Sequence, residues 1–443
     1  MNKKLAAVLS SAALFGLTAC GTSADDKAAG QQPAPTQQEP KKPITLYIQN
    51  IYSGSPTAEE FKEQYGKLIQ QKFPHIERIE YFSNATRPID QVMISKERMD
   101  IVITSQATFH TTFLPNALQT DLNEYITKTK YNTSRIDPSS LDLVKKLSGG
   151  KLYGLPVDAG GTYMLYNKDL FDKFGVAYPP NNMTWDQFAD LSKRLSRSDN
   201  GIAYHGSALA PVNFLIRNPY ALNHLDPNTG KADFSNPNWA KLFTRISDLY
   251  KVSGNEKTVA QLGTSGALNL FSKDKTAAMY SPIVANDLSL TFTFEALNFD
   301  FTHFPKISDA PGNVQTYPNI YAVSSTSPYK DDAFDVIAFM TSDEVQLAKS
   351  KRGTFSTLAG KEVRSVFGQE APEFIKKKNL AIFAESNTYT TPTNISEYTS
   401  TANTELNNSL NEVISAGKDV NTALREAAEK ANQKIEQAKS AKK

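Results

Sequence analysis

The segment from Gly149 to Trp185 constrains the fold more than any other part of the chain. A tight turn at Gly149–Gly150 precedes an extended apolar run from Leu152 to Asn167, which is interrupted at Pro156 and at Gly160–Gly161. Pro156 cannot donate a backbone N–H to a ladder, and the two glycines give the chain free choice of dihedral angles. These breaks predict that the segment links two lobes, and that Pro156 lies between two sheets rather than inside one.

Strand-like and helix-like stretches alternate in the first part of the chain. Ile44–Ile48, Ile79–Phe82 and Met99–Thr104 are rich in β-branched and aromatic residues, whereas Thr57–Phe73 and Arg87–Lys96 carry apolar residues at helical spacing. This alternation predicts a parallel sheet with crossover helices. About 400 residues follow the N-terminal segment, more than a single core usually supports, so the length also favours two lobes.

Polar residues follow each of these predicted strands. Ligands of parallel sheets bind beyond the carboxyl ends of the strands. We therefore expect ligand contacts from the residues that come next in the chain, namely Asn50, Tyr52, Asn84, Ser105 and Gln106. Each of them can instead serve routine loop chemistry, in which a side chain bonds to nearby backbone.

Three strings resemble the family 1 extracellular solute-binding proteins, the ligand-capturing subunits of ABC importers. They are GKLYGLP at 150–156, YNKDLF at 166–171, and the Pro179–Pro180 pair with TWDQF at 184–188. The resemblance implies a periplasmic-binding-protein-like fold, with two α/β lobes joined by a hinge and a ligand cleft between them. It places residues 44–157 plus about 302–352 in the N-terminal lobe, and about 162–300 plus 353–443 in the C-terminal lobe.

The resemblance also implies a function. Most members of the family take up sugars or oligosaccharides, so the expected protein is a monomer that captures a saccharide by hinge closure and delivers it to permease subunits. The residues expected to join those of the strand ends in the cleft are Asp158, Tyr204, Tyr280, Asn286, Arg352 and Tyr398. One departure weakens the sugar assignment: maltose-binding relatives carry a stacking aromatic residue after the proline equivalent to Pro282, whereas this chain has Ile283.

The first residues are predicted to be a targeting signal rather than part of the fold. Lys3 and Lys4 precede the apolar run Leu5–Leu17, which is short for a membrane span, and Cys20 follows at a position that resembles a lipobox. This pattern predicts a signal peptide over 1–19, lipidation at Cys20 (palmitate), and a disordered Gln- and Pro-rich tether up to residue 43. The expected location is the extracytoplasmic face of the cell membrane. The alternative is an ordinary secretory signal with an incidental cysteine.

The sequence carries no recognisable catalytic or metal motif. Its five histidines are scattered, and Cys20 is the single cysteine, so we expect neither a metal site nor a cofactor. No Walker motif or basic block is present, which argues against ATP hydrolysis or nucleic-acid binding by this chain. We expect a binding protein rather than an enzyme. The open alternatives are a non-sugar solute, a sensor-kinase partner, and a cell-surface protein that degrades or adheres to glycans.

Overall fold

The computed structural model describes residues 41–52, 56–283, 285–385, 392 and 394–441. The predicted signal peptide, the predicted lipidation at Cys20 and nearly all of the predicted tether lie outside these residues. From Pro43 onward the chain forms one compact unit. Its architecture is mixed α/β, as the alternation of strand-like and helix-like stretches predicts.

The strands of the described residues fall into three sheets. In chain order they are β1 (Ile44–Asn50), β2 (Ile76–Ser83), β3 (Ile101–Thr104), β4 (Leu155–Asp158), β5 (Tyr163–Asn167), β6 (Arg197–Asp199), β7 (Ile202–Tyr204), β8 (Met279–Tyr280), β9 (Phe299–His303) and β10 (Asn319–Val323). The first sheet has the order β2-β1-β3-β10-β4 and the second the order β8-β5-β9, while β6 and β7 form a small hairpin. The strands predicted near residues 44, 79 and 99 are therefore present.

The α-helices pack on these sheets and join them. They are α1 (Ala58–Phe61), α2 (Lys67–Lys72), α3 (Ile89–Ser95), α4 (Gln106–Thr108), α5 (Asn123–Thr129), α6 (Pro138–Leu147), α7 (Lys168–Lys173), α8 (Trp185–Leu195), α9 (Pro211–Ile216), α10 (Pro237–Tyr250), α11 (Thr264–Ser272), α12 (Ser289–Phe292), α13 (Lys330–Met340), α14 (Asp343–Lys351), α15 (Lys361–Ser365), α16 (Glu373–Lys376), α17 (Thr399–Ala416) and α18 (Val420–Ala441). Single π-helical turns at Lys62–Gly66 and Phe109–Phe113, and 3₁₀ turns at Thr133–Arg135 and Leu380–Ala384, complete the set.

Local sequence signals account for several helix ends. Thr184 caps α8 through a capping box with Gln187, and Trp185 packs face to face on Phe214 with ring centroids 5.4 Å apart. The predictions of a Thr184 cap and of a packing role for Trp185 are confirmed. Gly417 ends α17 with a φ of 69°, a left-handed conformation that glycine adopts without steric cost. The predicted break in the C-terminal helix pair at this glycine is confirmed as well.

The first sheet is parallel along β2-β1-β3 and becomes antiparallel where β10 pairs with β3 and with β4. The prediction that Pro156 lies between sheets is wrong, since Pro156 is in β4 and faces Ile320 of β10. The sheet order shows why the proline is tolerated. Because β4 is the outermost strand, one of its sides has no neighbouring strand, and the N–H that Pro156 lacks removes no ladder bond on that side.

The buried apolar residues form separate cores around the two sheets. One core surrounds the first sheet and includes Phe61 of α1, Val144 of α6 and Ile337 of α13. The second sheet has a core on each side. Helices α17 and α18 pack together against α9 and α10 and complete the larger of these two cores.

Three crossing segments lie side by side between the sheets. Isolated bridges join Asp158 to Ser356, Gly161 to Ala285, and Asp287 to Thr354. A fourth crossing leads from Val314, in the core of the second sheet, to Asn319 at the start of β10. We propose that the two sheets with their cores are the two lobes, and that the chain returns to the first lobe after Val314 rather than near residue 302.

Candidate functional site

The carboxyl ends of β1 and β3 and the start of β10 meet at one edge of the first sheet. This edge faces α9 of the second lobe, and residues of both lobes line the pocket between them. The edge brings together Tyr52, Ser105 and Gln106 of the predicted set. It also brings in Tyr317 and Arg217, which the sequence-based set did not contain.

Tyr317 joins the two sides of this pocket. Its hydroxyl donates a hydrogen bond to Ser105 Oγ over 3.1 Å, and its ring lies 6.5 Å from that of Tyr52 in an edge-on arrangement. The guanidinium of Arg217 lies 4.0 Å from the centroid of the Tyr317 ring. We call Tyr52, Ser105, Tyr317 and Arg217 the cleft cluster.

Arg217 is held in place by its position at the end of α9. Its backbone carbonyl accepts a hydrogen bond from Gln315 N over 3.1 Å, and its Nη1 donates to Asn213 Oδ1 over 3.4 Å. Burial lowers the pKa of Arg217, because it removes water from the guanidinium, while Tyr317 and Tyr52 act in the opposite direction. Burial and the nearby Tyr317 raise the pKa of Tyr52. The cluster therefore consists of a desolvated cation surrounded by aromatic rings and neutral hydroxyls.

The pocket beside this cluster encloses about 630 Å³ of space that is open to solvent. Gln106 and Thr111 line it from the first lobe, and Val212, Asn213 and Asn403 from the second. The side-chain oxygen of Gln106 is buried without a hydrogen-bond partner among the described residues. Such walls combine apolar surface with amides and hydroxyls, which suits a ligand that carries many hydroxyl groups.

Asn50 is the last residue of β1 and Asn84 directly follows β2, and both are engaged in local structure. Asn50 is fully buried, donates to the Tyr81 hydroxyl over 3.0 Å, and accepts from the backbone N–H of Tyr52 over 2.9 Å. Asn84 is exposed and accepts from the N–H of Ile89 over 2.9 Å, at the start of α3. A ligand contact by either residue stays a prediction. Asn50 nevertheless fixes the turn that presents Tyr52 to the cleft.

Asp158 lies at the crossing, as its place in the chain predicts, but its carboxylate is occupied by protein groups. It accepts hydrogen bonds from the Tyr65 hydroxyl over 3.0 Å and from Asn319 Nδ2 over 3.2 Å, and it pairs with the ammonium group of Lys349. Burial holds the pKa of Lys349 well below its ordinary range, and the nearby Arg352 lowers it further. These contacts give Asp158 a part in holding the hinge together.

The other predicted residues are spread over the second lobe and the hinge. Tyr280 is buried in β8 and stacks on Phe271, and burial raises its pKa to about 12. Tyr204 lies in the small hairpin, where its hydroxyl accepts a hydrogen bond from Lys173. Arg352 ends α14, and Asn286 accepts a backbone hydrogen bond from Phe355 at the crossing. Tyr398, next to the start of α17, packs against the larger second-lobe core.

Ile283 lies in a strained backbone conformation. Its φ of 64° places a β-branched residue in the left-handed region, and its side chain is fully buried in the second-lobe core. Ser281 Oγ stabilises this turn, since it accepts from Ile283 N over 2.9 Å and donates to the carbonyl of Tyr163 over 2.7 Å. Because Ile283 faces the core, the absence of an aromatic ring at this position does not remove a ring from the cleft cluster.

A second pocket lies on the hinge and shares no lining residue with the first. It encloses about 710 Å³ between Thr316 of the fourth crossing, Gly160 and Gly161 of the first, and the rings of Phe355 and Phe383. Its titratable lining residues are Asp137, His303, Arg364 and Glu385. Burial lowers the pKa of His303.

Within the residues that the structure describes, no group of three or more His, Cys, Asp or Glu side chains is arranged to hold a metal ion. In the same part of the chain, none of the helices combines the length and apolar character that a membrane crossing requires.

Signals for the missed residues were present in the sequence but were weak. Arg217 lies within the apolar and aromatic run Phe214–Tyr220, and Tyr317 lies two residues before the start of β10. Neither position belongs to a motif. Their proximity depends on the return of the chain from the second lobe to the first.

Comparison with known proteins is consistent across sequence and structure. A curated binding protein of Brucella abortus is 43% identical over 67 residues, which cover 15% of this chain and 14% of that protein. The mannitol-binding protein of Pseudomonas aeruginosa is 28% identical over 204 residues, which cover 44% of this chain and 46% of that protein. The chain thus matches less than half the length of these curated relatives.

Among solved structures, the ABC substrate-binding protein from Listeria monocytogenes in complex with cycloalternan has the same fold. The TM-score is 0.68 at 21% identity, and the match covers 89% of this chain and 99% of that one. Residues 83–347, more than half of the chain, match the family described as bacterial extracellular solute-binding protein. The two-lobed fold agrees with this match, and the chain is a member of the bacterial extracellular solute-binding protein family.

Proposed function

We propose that this protein captures a sugar or oligosaccharide in the cleft between its two lobes and delivers it to the permease of an ABC transporter. The observation that carries the proposal is the pocket beside the cleft cluster, which both lobes line within a fold of this family. The names of similar proteins support a saccharide or polyol ligand, since one binds mannitol and another was solved with cycloalternan.

The chemistry of the pocket suits such a ligand. Pyranose rings present apolar faces, which pack on rings such as Tyr52 and Tyr317, and hydroxyl groups, which need hydrogen-bond partners when buried. Ser105, Gln106 and Asn213 place hydroxyl and amide groups at this edge. Burying one such group without a partner costs about 1–3 kcal/mol, so a dense set of polar groups selects for a ligand that pairs with them.

The mechanism follows from the division into lobes. A ligand that touches Gln106 on one side and Asn213 on the other makes its full set of contacts only when the lobes are close. Binding therefore shifts the population towards the closed form. We propose that the crossings at Asp158, Ala285 and Phe355 act as the hinge, and that the closed surface is what a permease recognises. In this function the protein is a monomeric binding protein and performs no catalysis.

We further propose that the protein is a lipoprotein held at the extracytoplasmic face of the cell membrane through Cys20. The short apolar run before this cysteine and the polar segment after it support a cleaved signal and a tether. Metabolic labelling of cells with a fatty-acid analogue tests the anchor. Label in the wild-type protein and none in Cys20→Ala is the expected result, and equal label in both contradicts the proposal.

A thermal-shift screen tests the ligand class. The chain from residue 43 onward, which forms one compact unit, is melted with mono- and oligosaccharides and polyols, and with amino acids, peptides and polyamines as controls. A ligand that binds only the native state raises the midpoint by mass action. A shift with saccharides or polyols alone supports the proposal, whereas a shift with a control class alone identifies a non-sugar solute.

Two measurements separate the remaining alternatives. A glycan-degrading protein would release reducing ends from a polysaccharide, and we expect none. If the partner is a sensor kinase, the ligand-bound protein would bind the kinase and would not bind permease subunits. Pull-down of the permease subunits by ligand-saturated protein, and weaker pull-down without ligand, is the expected outcome.

A further inference from the structure

Arg217 lies in the inter-lobe cleft, and within the part of the chain that the structure describes it forms no ion pair with a carboxylate. Among the described residues, the groups that act on this guanidinium are the hydroxyls of Tyr317 and Tyr52, and the amide of Asn213 accepts a long hydrogen bond from it. Its Nε is buried with no hydrogen-bond partner among those residues. The internal segments that the structure does not describe, 53–55, 284, 386–391 and 393, contain no Asp or Glu.

Other half-buried guanidiniums show how this chain balances such a charge. Arg98 pairs with Asp100 over 2.7 Å, and Arg245 pairs with Asp309 over 3.0 Å. In both cases a carboxylate replaces the water that burial removes, which is the usual arrangement for a desolvated charge. Arg217 has the same burial problem, but its partners are an aromatic face and neutral groups, which offset the charge only in part.

We infer that the ligand itself supplies the missing carboxylate, so that the saccharide captured here is an acidic one, such as a uronic acid or an oligosaccharide that contains one. This inference rests on the proposed function and names the ligand class of the same site. A guanidinium presents parallel N–H donors that match a carboxylate, whereas a neutral hydroxyl occupies only one of them.

The position of Arg217 favours this role. Stacking on Tyr317 at 4.0 Å fixes the plane of the guanidinium before any ligand arrives. The Tyr317 hydroxyl is in turn bonded to Ser105 of the first lobe. A carboxylate bound to Arg217 therefore lies next to the contact between Arg217 and Tyr317, which spans the cleft. Glu397 also lines the pocket, on the side of α17.

The test compares each acid with its neutral counterpart. Glucuronic, galacturonic and mannuronic acids, as mono- to trisaccharides, are titrated calorimetrically into the chain from residue 43 onward. The matched probes are their methyl esters and the parent neutral hexose oligomers. We expect at least one acid to bind at least 10-fold more tightly than its ester, with an affinity that falls as salt rises.

Variants locate the interaction. Arg217→Gln should weaken binding of the acid by roughly 10- to 100-fold and leave the ester within about 3-fold, and Arg217→Lys should restore part of the loss. Arg364→Gln is the matched control, because Arg364 lines the second pocket instead. Arg425→Gln, on the exposed face of α18, controls for net charge. Melting of each variant without ligand confirms that it is folded.

The outcomes are distinct. Equal binding of acids and esters, or tighter binding of the neutral hexoses, overturns the inference while the proposed function stands. An acid whose affinity falls with Arg364→Gln rather than with Arg217→Gln also overturns it. If no saccharide of either set binds, the proposed function itself has failed, and the inference fails with it.

Discussion

Lys349 and Asp158 form an ion pair in which the lysine side chain is completely hidden from solvent and the aspartate side chain is 7% exposed. The pair lies where β4 ends and the chain leaves the first lobe. Lys349 also donates to the carbonyl of Val157 over 3.4 Å, and its Nζ lies 5.0 Å from the centroid of the Tyr65 ring. A single polar network therefore joins β4, α14 and the π-helical turn before α2.

Removing one partner of this pair should destabilise the fold strongly. Asp158→Asn removes the counter-charge of the buried Lys349 side chain, so we expect the free energy of unfolding to fall by about 3–5 kcal/mol. Chemical denaturation measures it. The double variant Asp158→Asn, Lys349→Met should recover part of the loss, because it removes the unpaired charge. Arg425→Gln, which breaks an exposed pair with Glu429, should cost less than about 1 kcal/mol. Equal losses in Asp158→Asn and Arg425→Gln would contradict the role of this network.

Two buried histidines make the stability of the protein depend on pH. Burial lowers the pKa of His224 and of His205 to about 4 from the ordinary value of 6.5. Between these values the unfolded chain binds protons that the folded chain does not, so stability falls as the pH drops from 6.5 towards 4. The loss approaches about 3 kcal/mol for each histidine at the lower limit.

Unfolding free energies measured at intervals from pH 7 to pH 4.5 test this dependence. In His224→Gln, the unfolding free energy should depend less steeply on pH, by about the contribution of one histidine. Adding His205→Gln should reduce the dependence further. A slope that is the same in the wild-type protein and in the double variant would show that other groups cause the acid sensitivity.

Gly161 permits close approach of the crossing segments. A Cβ atom at this position would lie 2.6 to 2.8 Å from three carbons of the Phe355 ring, which itself packs on Phe367 with centroids 4.9 Å apart. We expect Gly161→Ala to push the crossings apart, lower the melting temperature by several degrees, and weaken ligand binding through the hinge.

A second substitution, at the Phe355 ring that a Cβ at position 161 would meet, provides the control for this prediction. Phe355→Leu combined with Gly161→Ala should restore part of the stability, because it removes the atoms that collide. Gly66→Ala should cost no stability and should add up to about 1 kcal/mol, since Gly66 is helical and its Cβ would meet only the flexible Lys62 side chain at 3.7 Å. Equal losses for Gly66→Ala and Gly161→Ala would argue against a specific collision.

Ile283 allows a direct measurement of backbone strain. Ile283→Ala and Ile283→Gly both remove the buried side chain, but only glycine adopts the φ of 64° without steric cost. We expect the glycine variant to be more stable than the alanine variant by about 1 kcal/mol, the reverse of the usual order. An alanine variant of equal or greater stability would show that the segment relaxes into another conformation.

The Tyr317 hydroxyl ties the ring that faces Arg217 to Ser105 of the first lobe. Tyr317→Phe keeps the ring under Arg217 but removes the bond to Ser105. We expect a loss of about 0.5–1.5 kcal/mol in the binding free energy of whichever ligand the thermal-shift screen identifies, measured by calorimetry. Ser105→Ala should cause a similar loss, and the double variant should lose little more than either single variant. Fully additive losses would show that the two hydroxyls act separately.

Several features of this protein could be read from the sequence because they depend on neighbouring residues. The strands near residues 44, 79 and 99 follow from local runs of β-branched residues, the start of α8 from its Thr184 cap, and the end of α17 from Gly417. The family strings around residues 150–188 led to the two-lobed fold. Tyr52, Ser105 and Gln106 were predicted from the ends of strands, since parallel strands place their carboxyl ends at one edge.

The tertiary structure decided everything that depends on segments far apart in the chain. Pro156 lies in a strand because β4 is at the edge of its sheet, which no local pattern reveals. Asp158 is engaged because α14, almost two hundred residues later, brings Lys349 to it. Arg217 and Tyr317 meet because the segment before β10 passes the end of α9, where Gln315 N donates to the carbonyl of Arg217. Local signals encode the helices and strands. Contacts across the hinge join segments far apart in the chain, so they form only when long-range packing offsets the entropy lost in bringing those segments together.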